Sequence, residues 1–157
     1  MQKHRASTLH YDLRLQIGDA LASWAVPKGP STDPGEKRLA IRVEDHPLDY
    51  ADFEGVIPDE SYGAGAVMLW DRGSYENMKE GAATDALRDG HLEVFIRGEK
   101  LHGAYALVKM KGRGGDKWLL IKMDDEHASR DIEITETAPH SVATGRTLDD
   151  IAREGSS

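Results

Sequence analysis

An unbroken alternation of apolar and polar side chains from Leu9 to Ile17 constrains the fold of this chain more than any other feature. The apolar residues are Leu9, Tyr11, Leu13, Leu15 and Ile17, and the polar residues between them are His10, Asp12, Arg14 and Gln16. Successive side chains of a β-strand point to opposite faces, so this period of two predicts a strand with one face on the core. The other face then carries an imidazole, a carboxylate and a guanidinium in a row.

Short apolar segments separated by turn residues continue along most of the chain. They predict strands at Leu21–Val26, Arg38–Glu44, Ala66–Trp70, Ser74–Glu76, Leu92–Arg97, Leu101–Met110 and Trp118–Met123. We expect Ala66–Trp70 and Ser74–Glu76 to pair as a hairpin, and Tyr62–Gly65 and Gly112–Gly115 to form turns. Trp24, Trp70 and Trp118 are predicted core residues. This pattern favours a mainly β fold, a small barrel or sandwich, over alternating βα units.

Two short helices are predicted beside the strands. Residues 80–90 have weak apolar support for a helix, whereas Thr147–Glu154 begins with Thr147 as N-cap and has two aspartates in its first turn. A chain of 157 residues predicts a single domain. The composition between Ser129 and Gly145 is linker-like, so we expect a β-barrel over residues 1–127 and a tail over 128–157 that ends in the short helix.

Composition excludes several classes of protein. The chain has no cysteine, which rules out disulfides and thiolate metal sites. No run of about 18 apolar residues and no apolar N-terminal segment is present, so we expect a cytoplasmic protein without a membrane span. The formal net charge is −8, yet residues 1–42 carry seven Lys/Arg against four Asp/Glu. A cationic segment on an otherwise acidic chain suits recognition of a strand end better than tracking along a duplex.

The polar face of Leu9–Ile17 has the residue types of a catalytic metal site. His10 and Asp12 are about 6.6–6.8 Å apart along a strand, so both can reach one ion. His4 can join them only if residues 5–8 turn the chain back. Two imidazoles and one carboxylate leave coordination positions open and suit Mn²⁺, Zn²⁺ or Fe²⁺ better than Ca²⁺. Arg14, next on the same face, has a planar fork that fits a phosphate oxygen.

A second group of polar residues, Glu44–Tyr50, follows a predicted strand and contains Pro47, which turns the chain. Side chains at such a strand end commonly carry function. His46 could donate a proton to a phosphoryl or leaving oxygen, and Tyr50 could donate from its hydroxyl. Of the remaining cations, Lys28 is either a phosphate contact or a loop lysine, and Lys109 and Lys122 either line a cleft or are solvated.

The residues Gln2–Leu15, Ser23–Ser31 and Val43–Tyr50 resemble the 3′-phosphoesterase domain of bacterial DNA ligase D and its stand-alone bacterial and archaeal relatives. Phe53–Pro58, Tyr62–Gly65 and Trp118–Lys122 continue the resemblance, and Ser141–Ala152 is similar to the segment that joins that domain to the ligase domain. The resemblance implies a compact β-barrel that processes 3′ ends with Mn²⁺, or with Zn²⁺ or Co²⁺. It also implies action in non-homologous end joining, beside DNA ligase or Ku-type proteins.

The resemblance further implies roles for single residues. His4, His10 and Asp12 would be the metal ligands, and Arg14, His46 and Tyr50 would hold the scissile phosphate. Arg38 and Glu44 fall where the family has supporting residues. The implied reaction removes a 3′-terminal ribonucleoside to leave a 3′-phosphate and then hydrolyses that phosphate to a 3′-hydroxyl. Members of the family usually carry a further strand ahead of the motif that begins at Gln2, and its contacts are expected to bear on the second step.

Two other functions fit parts of the pattern. An Fe²⁺ oxygenase with two histidines and one carboxylate would use His10 and Asp12 with a distant ligand such as His91 or His102, and His4 would be idle. A non-catalytic barrel could bind nucleic-acid ends for a ligase or a Ku-type partner. Loss of metal affinity in His4→Ala would exclude this oxygenase, and turnover with Mn²⁺ would exclude the binding module.

Overall fold

A computed structural model of the chain describes residues 1–6, 8–57, 65–111 and 116–155, and these contain ten strands. The predicted turn at Gly112–Gly115, and the predicted turn at Tyr62–Gly65 except for its last residue, lie outside the described residues. The strands are β1 (Gln2–Arg5), β2 (Leu9–Ile17), β3 (Ala20–Val26), β4 (Lys37–His46), β5 (Gly55–Ile57), β6 (Gly65–Leu69), β7 (Gly73–Asn77), β8 (His91–Gly98), β9 (His102–Lys109) and β10 (Lys117–Lys122).

The central apolar residues that alternate along β2 are buried, as the period of two predicted. Tyr11, Leu13 and Leu15 are each about 95% buried, and they join one hydrophobic cluster that also holds the three tryptophans. Trp24 and Trp70 are fully inaccessible to solvent. The core therefore lies on the inner face of β2, and the outer face carries its polar residues.

All ten strands belong to one antiparallel sheet in the order β5-β6-β1-β2-β3-β4-β10-β9-β8-β7. The sheet is rolled. A contact between the edge strand β7 and the distant strand β2 shows this, since the Tyr75 hydroxyl donates to the Gln16 carbonyl at 2.5 Å. The prediction of a mainly β fold with short flanking helices is thus confirmed. Within the described ranges no ladder joins β5 to β7, so the sheet curves like a barrel without closing into one.

The predicted hairpin between Ala66–Trp70 and Ser74–Glu76 is wrong. β6 pairs with β1 and β5, whereas β7 pairs with β8. The reason lies in Asp71, whose buried carboxylate accepts hydrogen bonds from the backbone N–H groups of Glu99, Lys100 and Leu101. These bonds hold the chain after β6 against the β8–β9 turn, so it crosses the molecule instead of reversing.

Three α-helices and one 3₁₀ helix flank the sheet within the described residues. They are α1 (Ala83–Asp89), α2 (Ile134–Thr137), α3 (Leu148–Gly155) and the 3₁₀ helix Leu48–Asp52. No described helix is long and apolar enough to cross a membrane.

The C-terminal segment packs on the same core as the sheet. The predicted cap of α3 is confirmed, since the Thr147 hydroxyl accepts from the Asp150 N–H and the Asp150 carboxylate accepts from the Thr147 N–H. Leu148 and Ile151 are buried in the main hydrophobic cluster. The indole of Trp70 donates to the Ala138 carbonyl at 2.8 Å. A linker-like composition therefore did not prevent ordered packing, and a domain boundary at residue 127 stays a prediction.

Candidate metal and phosphate site

The pairing of β1 with β2 brings the three predicted metal ligands together. His4 lies directly opposite His10 in this ladder, and Gln2 lies opposite Asp12. Directly opposed residues share a face, so the antiparallel pairing places His4 on the polar face of β2, where a metal site with His10 and Asp12 needs it. Nitrogen and oxygen atoms of His4, His10 and Asp12 all lie within 4.8 Å of one another.

Asp12 is the centre of this cluster. Its carboxylate lies 3.1 Å from His10 Nε2 and 3.8 Å from His4 Nδ1. Burial alone would raise the pKa of Asp12, but hydrogen bonds from the two histidines and the charge of Arg14 outweigh burial and hold it well below its usual range. The bond to Asp12 raises the pKa of His10 above its ordinary value. Asp12 is therefore an anion that attracts either a proton or a metal ion to its neighbours.

The donor set of this cluster fits a divalent transition metal. Two imidazole nitrogens and a carboxylate oxygen are ligands for Mn²⁺, Zn²⁺ or Fe²⁺, and three protein ligands leave positions for water and substrate. His4 and Asp12 are buried, whereas His10 is partly exposed, so the cluster is reached from solvent on one side.

Arg14 extends the cluster along β2 and is held on three sides. Its Nε donates to Gln2 Oε1 at 2.7 Å, and one Nη donates to Ser23 Oγ at 2.9 Å. The other Nη lies 3.6 Å from an Asp12 oxygen. A guanidinium fixed in this way offers a preorganised positive charge and its Nη2 donor to an anion that approaches the metal ligands.

His46 and Tyr50 complete this anion-binding side of the site. Arg14 Nη1 lies 3.0 Å from His46 Nδ1, and the Arg14 guanidinium lies over the Tyr50 ring, 4.9 Å from its centroid. The His46 and Tyr50 rings stack with centroids 5.1 Å apart. Predictions from two separate sequence motifs, on β2 and at the end of β4, thus meet at one place.

The contact with Arg14 assigns the tautomer of His46. A guanidinium can only donate, so His46 Nδ1 accepts from Arg14 and the ring hydrogen lies on Nε2. The approach of Nδ1 to the Glu44 carbonyl, at 3.1 Å, would need the opposite tautomer and is the weaker partner because it carries no full charge. Burial and the Arg14 charge lower the pKa of His46, which keeps the ring neutral near pH 7 with Nε2–H as a donor.

Gln2 is a residue of the candidate site that the sequence analysis missed. It is 1% exposed, and its amide donates to the carbonyls of Tyr50 and Phe53 at 3.1 and 3.0 Å while its oxygen accepts from Arg14. One side chain thus fixes both Arg14 and the 3₁₀ helix. The available signal was its spacing of two from His4, but β1 is too short for a recognisable period.

Arg38 and Glu44 are placed differently from the other predicted site residues. Arg38 shares its β4 face with the core residue Ala40, and its guanidinium pairs with Glu36 at 2.6 Å and Glu133 at 3.5 Å. Its recorded partners are these two carboxylates and the Lys28 carbonyl, none of which belongs to the cluster, so a site role for Arg38 stays a prediction. The Glu44 side chain is exposed, and only its carbonyl is recorded against His46.

The remaining polar predictions have clear positions. His91 pairs with Glu93, and neither it nor His102 belongs to the metal-ligand cluster found among the described residues. The distant ligand that the oxygenase alternative required is therefore not in place, and His4 takes that position. Lys122 is buried, not solvated, because its ammonium binds Asp125 at 2.6 Å and the Met123 carbonyl at 2.7 Å.

A rolled antiparallel sheet with a His-His-Asp cluster beside an Arg-His-Tyr group defines a β domain with a candidate metal and anion site. Over residues 2–109 the chain matches the DNA ligase D 3′-phosphoesterase domain, and it belongs to that family.

Curated relatives agree with this assignment. The chain is 50% identical over 151 residues, 94% of its length, to the multifunctional non-homologous end joining protein LigD of Pseudomonas aeruginosa. It is 38% identical over 159 residues, 99% of its length, to the corresponding DNA repair protein of Mycobacterium tuberculosis. It is 43% identical over 134 residues, 83% of its length, to that of Mycolicibacterium smegmatis. The matched part is only 18%, 20% and 17% of these relatives, so the chain spans about a fifth of their length.

Proposed function

We propose that this domain is a divalent-metal-dependent phosphoesterase that processes the 3′ ends of nucleic acid. The observation that carries the proposal is the continuity of the two clusters. Arg14 lies 3.6 Å from the metal-ligand Asp12 and 3.0 Å from His46, so one phosphate can meet the metal ligands and the anion-binding residues together. Membership of the DNA ligase D 3′-phosphoesterase family supports the same reaction class.

The proposed reaction has two hydrolytic steps. In the first, water adds to the last internucleotide phosphorus and the bond to the 5′-oxygen of a terminal ribonucleoside breaks, which leaves a 3′-phosphate. In the second, water adds to that phosphorus and the bond to the 3′-oxygen breaks, which leaves a 3′-hydroxyl and inorganic phosphate. In each step the leaving oxygen takes up a proton. Both steps place negative charge on non-bridging phosphoryl oxygens, where donors are most effective.

Arg14, His46 and Tyr50 have different proposed roles at the phosphate. Arg14 binds the phosphoryl group through Nη2, because Gln2 takes its Nε–H and Ser23 and His46 take its Nη1 hydrogens, and these bonds remove the need to reorganise during the reaction. His46 donates through Nε2–H to a phosphoryl oxygen or to the leaving oxygen. Burial raises the pKa of Tyr50, so its hydroxyl stays protonated and can donate as well.

His4, His10 and Asp12 would hold the cation. A divalent ion there would supply Lewis-acid polarisation of a phosphoryl oxygen and a bound water of lowered pKa. We propose Mn²⁺ as the ion, with Zn²⁺ or Co²⁺ able to replace it, because the donor set is borderline between hard and soft.

We propose that the domain acts in non-homologous end joining. The relatives named above are multifunctional end-joining proteins, which makes broken ends with 3′-ribonucleotides or 3′-phosphates the proposed substrates and a DNA ligase or Ku-type protein the proposed partner. The excess of cations in residues 1–42, which include β1, β2 and Arg14, supports binding of a strand end at this site.

The test is a gel assay on a primer–template whose primer ends in ribonucleotides, with Mn²⁺, with Mg²⁺ and with a chelator. We expect Mn²⁺-dependent shortening to a 3′-phosphate and then a 3′-hydroxyl, abolished by the chelator. His10→Ala, purified in parallel, controls for a contaminating nuclease. Binding of the ends without cleavage under every metal would contradict the enzyme and support the binding module.

A further inference from the structure

Glu54 is a buried carboxylate that joins the C-terminal segment to the site. Its side chain is 5% exposed, and one oxygen accepts from the Leu69 backbone N–H at 2.8 Å. The other oxygen accepts from the Thr144 hydroxyl at 2.6 Å and from Arg146 Nη2 at 2.9 Å. Burial alone would raise the pKa of Glu54, but these bonds, together with one from Ser141, lower it and keep the group charged.

Glu54 directly follows Phe53, which contacts two parts of the site. The Phe53 ring stacks on Tyr50 with centroids 5.2 Å apart and an interplanar angle of 10°. The Phe53 carbonyl accepts from the Gln2 amide at 3.0 Å. A shift of Glu54 is therefore transmitted through one peptide bond to both Tyr50 and Gln2.

Gln2 carries the displacement to Arg14. Its amide nitrogen and oxygen belong to one rigid planar group, so a change at the Phe53 carbonyl rotates the oxygen that accepts from Arg14 Nε at 2.7 Å. Arg14 Nε donates to this oxygen, whereas Ser23 and His46 contact Nη1, so a rotation of the Gln2 amide changes the tilt of the guanidinium about those contacts. The metal ligands take their positions from the backbone of the β1–β2 ladder, in which Gln2 lies opposite Asp12, and a rotation of the Gln2 side-chain amide leaves this backbone pairing in place.

We infer that Arg146 and Glu54 are a positioning pair through which the C-terminal segment sets the geometry of the phosphate-binding residues Arg14 and Tyr50. The inference rests on the proposed phosphoesterase function and adds to it a role for a segment whose composition is linker-like. The pair does not touch the substrate. Arg146 also binds Thr144 and Glu154, so it ties Glu54 to the body of α3.

The experiment compares Arg146→Ala and Glu54→Gln with the wild-type chain, and uses Arg153→Ala as the matched control. Arg153 lies on α3, the helix that follows Arg146, and pairs with Asp150 there, so its loss perturbs α3 without touching Glu54. Glu54→Gln keeps the acceptor for the Leu69 N–H but turns an amide donor towards Thr144 and Arg146. The readouts are kcat and KM on a 3′-phosphate end, inhibition by inorganic phosphate, Mn²⁺ affinity and the melting temperature.

We expect Arg146→Ala and Glu54→Gln each to lower kcat/KM by roughly tenfold, as for substitutions that act through packed neighbours, and to weaken inhibition by phosphate by a similar factor. Mn²⁺ affinity should stay at the wild-type value, and Arg153→Ala should match the wild type throughout. Arg146→Lys keeps a cation for Glu54 and should restore part of the loss.

Wild-type kinetics in Arg146→Ala and Glu54→Gln would overturn the inference. So would an equal loss of Mn²⁺ affinity and activity, because that pattern belongs to general destabilisation. If Arg146→Ala does not fold, Glu54→Gln and Arg146→Lys decide the matter by the same criteria. A wild-type chain that does not hydrolyse the substrate is a different result, since it contradicts the proposed function itself.

Discussion

His4 and His10 are direct cross-strand partners in the β1–β2 ladder, and their rings meet edge to face with centroids 4.9 Å apart. If one histidine were lost, the proposed site would keep two protein ligands instead of three. The backbone pairing of two short polar segments thus brings the proposed metal ligands together, and the proposal can be tested ligand by ligand.

Replacement of either histidine should remove metal binding while the fold survives. Changes that only disturb the orientation of a ligand cost about 10–100-fold in metal affinity, so we expect His4→Ala and His10→Ala to lose more than about 100-fold. Calorimetric titration with Mn²⁺ measures the loss, and circular dichroism checks the fold. His91→Ala is the control, since His91 pairs with Glu93 on β8. Unchanged Mn²⁺ affinity in His4→Ala would contradict the ligand assignment.

Arg14→Ala should separate metal binding from catalysis. Removal of a preorganised donor to a developing oxyanion costs about 10²–10³-fold in kcat, and we expect a loss of that size. Mn²⁺ affinity should remain, because Arg14 is not a ligand. Arg14→Lys should recover little, since an ammonium cannot bond Gln2 and Ser23 in the same fork. A turnover rate equal to the wild type in Arg14→Ala would exclude Arg14 from the phosphate site.

Gln2→Met should reduce both stability and activity. The variant keeps the volume of the side chain but removes the donor to Tyr50 and Phe53 and the acceptor for Arg14. Buried groups left without a partner cost about 1–3 kcal/mol, so we expect the free energy of unfolding in urea to fall by about 2 kcal/mol. An unfolding midpoint at the wild-type value would show that water replaces Gln2 at no cost.

Lys100 should make the stability of the protein depend on pH. Burial lowers its pKa to about 8 from an ordinary 10.5, and its ammonium lies over Trp70 and binds the Ala138 and His140 carbonyls. Between these two pH values the unfolded chain holds a proton that the folded chain has lost, so the free energy of unfolding rises with pH in this window.

The comparison that isolates this effect is wild type against Lys100→Met, because Met keeps the apolar stem over Trp70. Urea unfolding is measured below pH 8 and again between pH 8 and 10.5. The stability of the wild type should rise relative to the variant as pH increases. Equal slopes for the two proteins would mean that Lys100 does not titrate differently in the folded state.

The local sequence pattern was sufficient to predict candidate site residues that lie on a single strand. The alternation of Leu9–Ile17 placed His10, Asp12 and Arg14 on one face without any knowledge of the fold, because side-chain direction in a strand depends only on residue parity. Resemblance in the motif Val43–Tyr50 added His46 and Tyr50, and the structure brings both beside Arg14. The helix that begins after Thr147 was likewise readable, since its cap is formed by residues three apart.

Contacts between distant segments needed the tertiary structure. The return of β6 to β1 rather than to β7 depends on Asp71 and on backbone N–H groups about thirty residues away, and no local signal encodes such a distance. The hydrogen-bond partners of Gln2 and Glu54 likewise include residues 48 to 92 positions away along the chain. Sequence by itself therefore determined the donor types and the strand that presents them. Only the packing of distant segments decided how Arg14 is held, because a buried side chain takes its orientation from the polar groups that surround it.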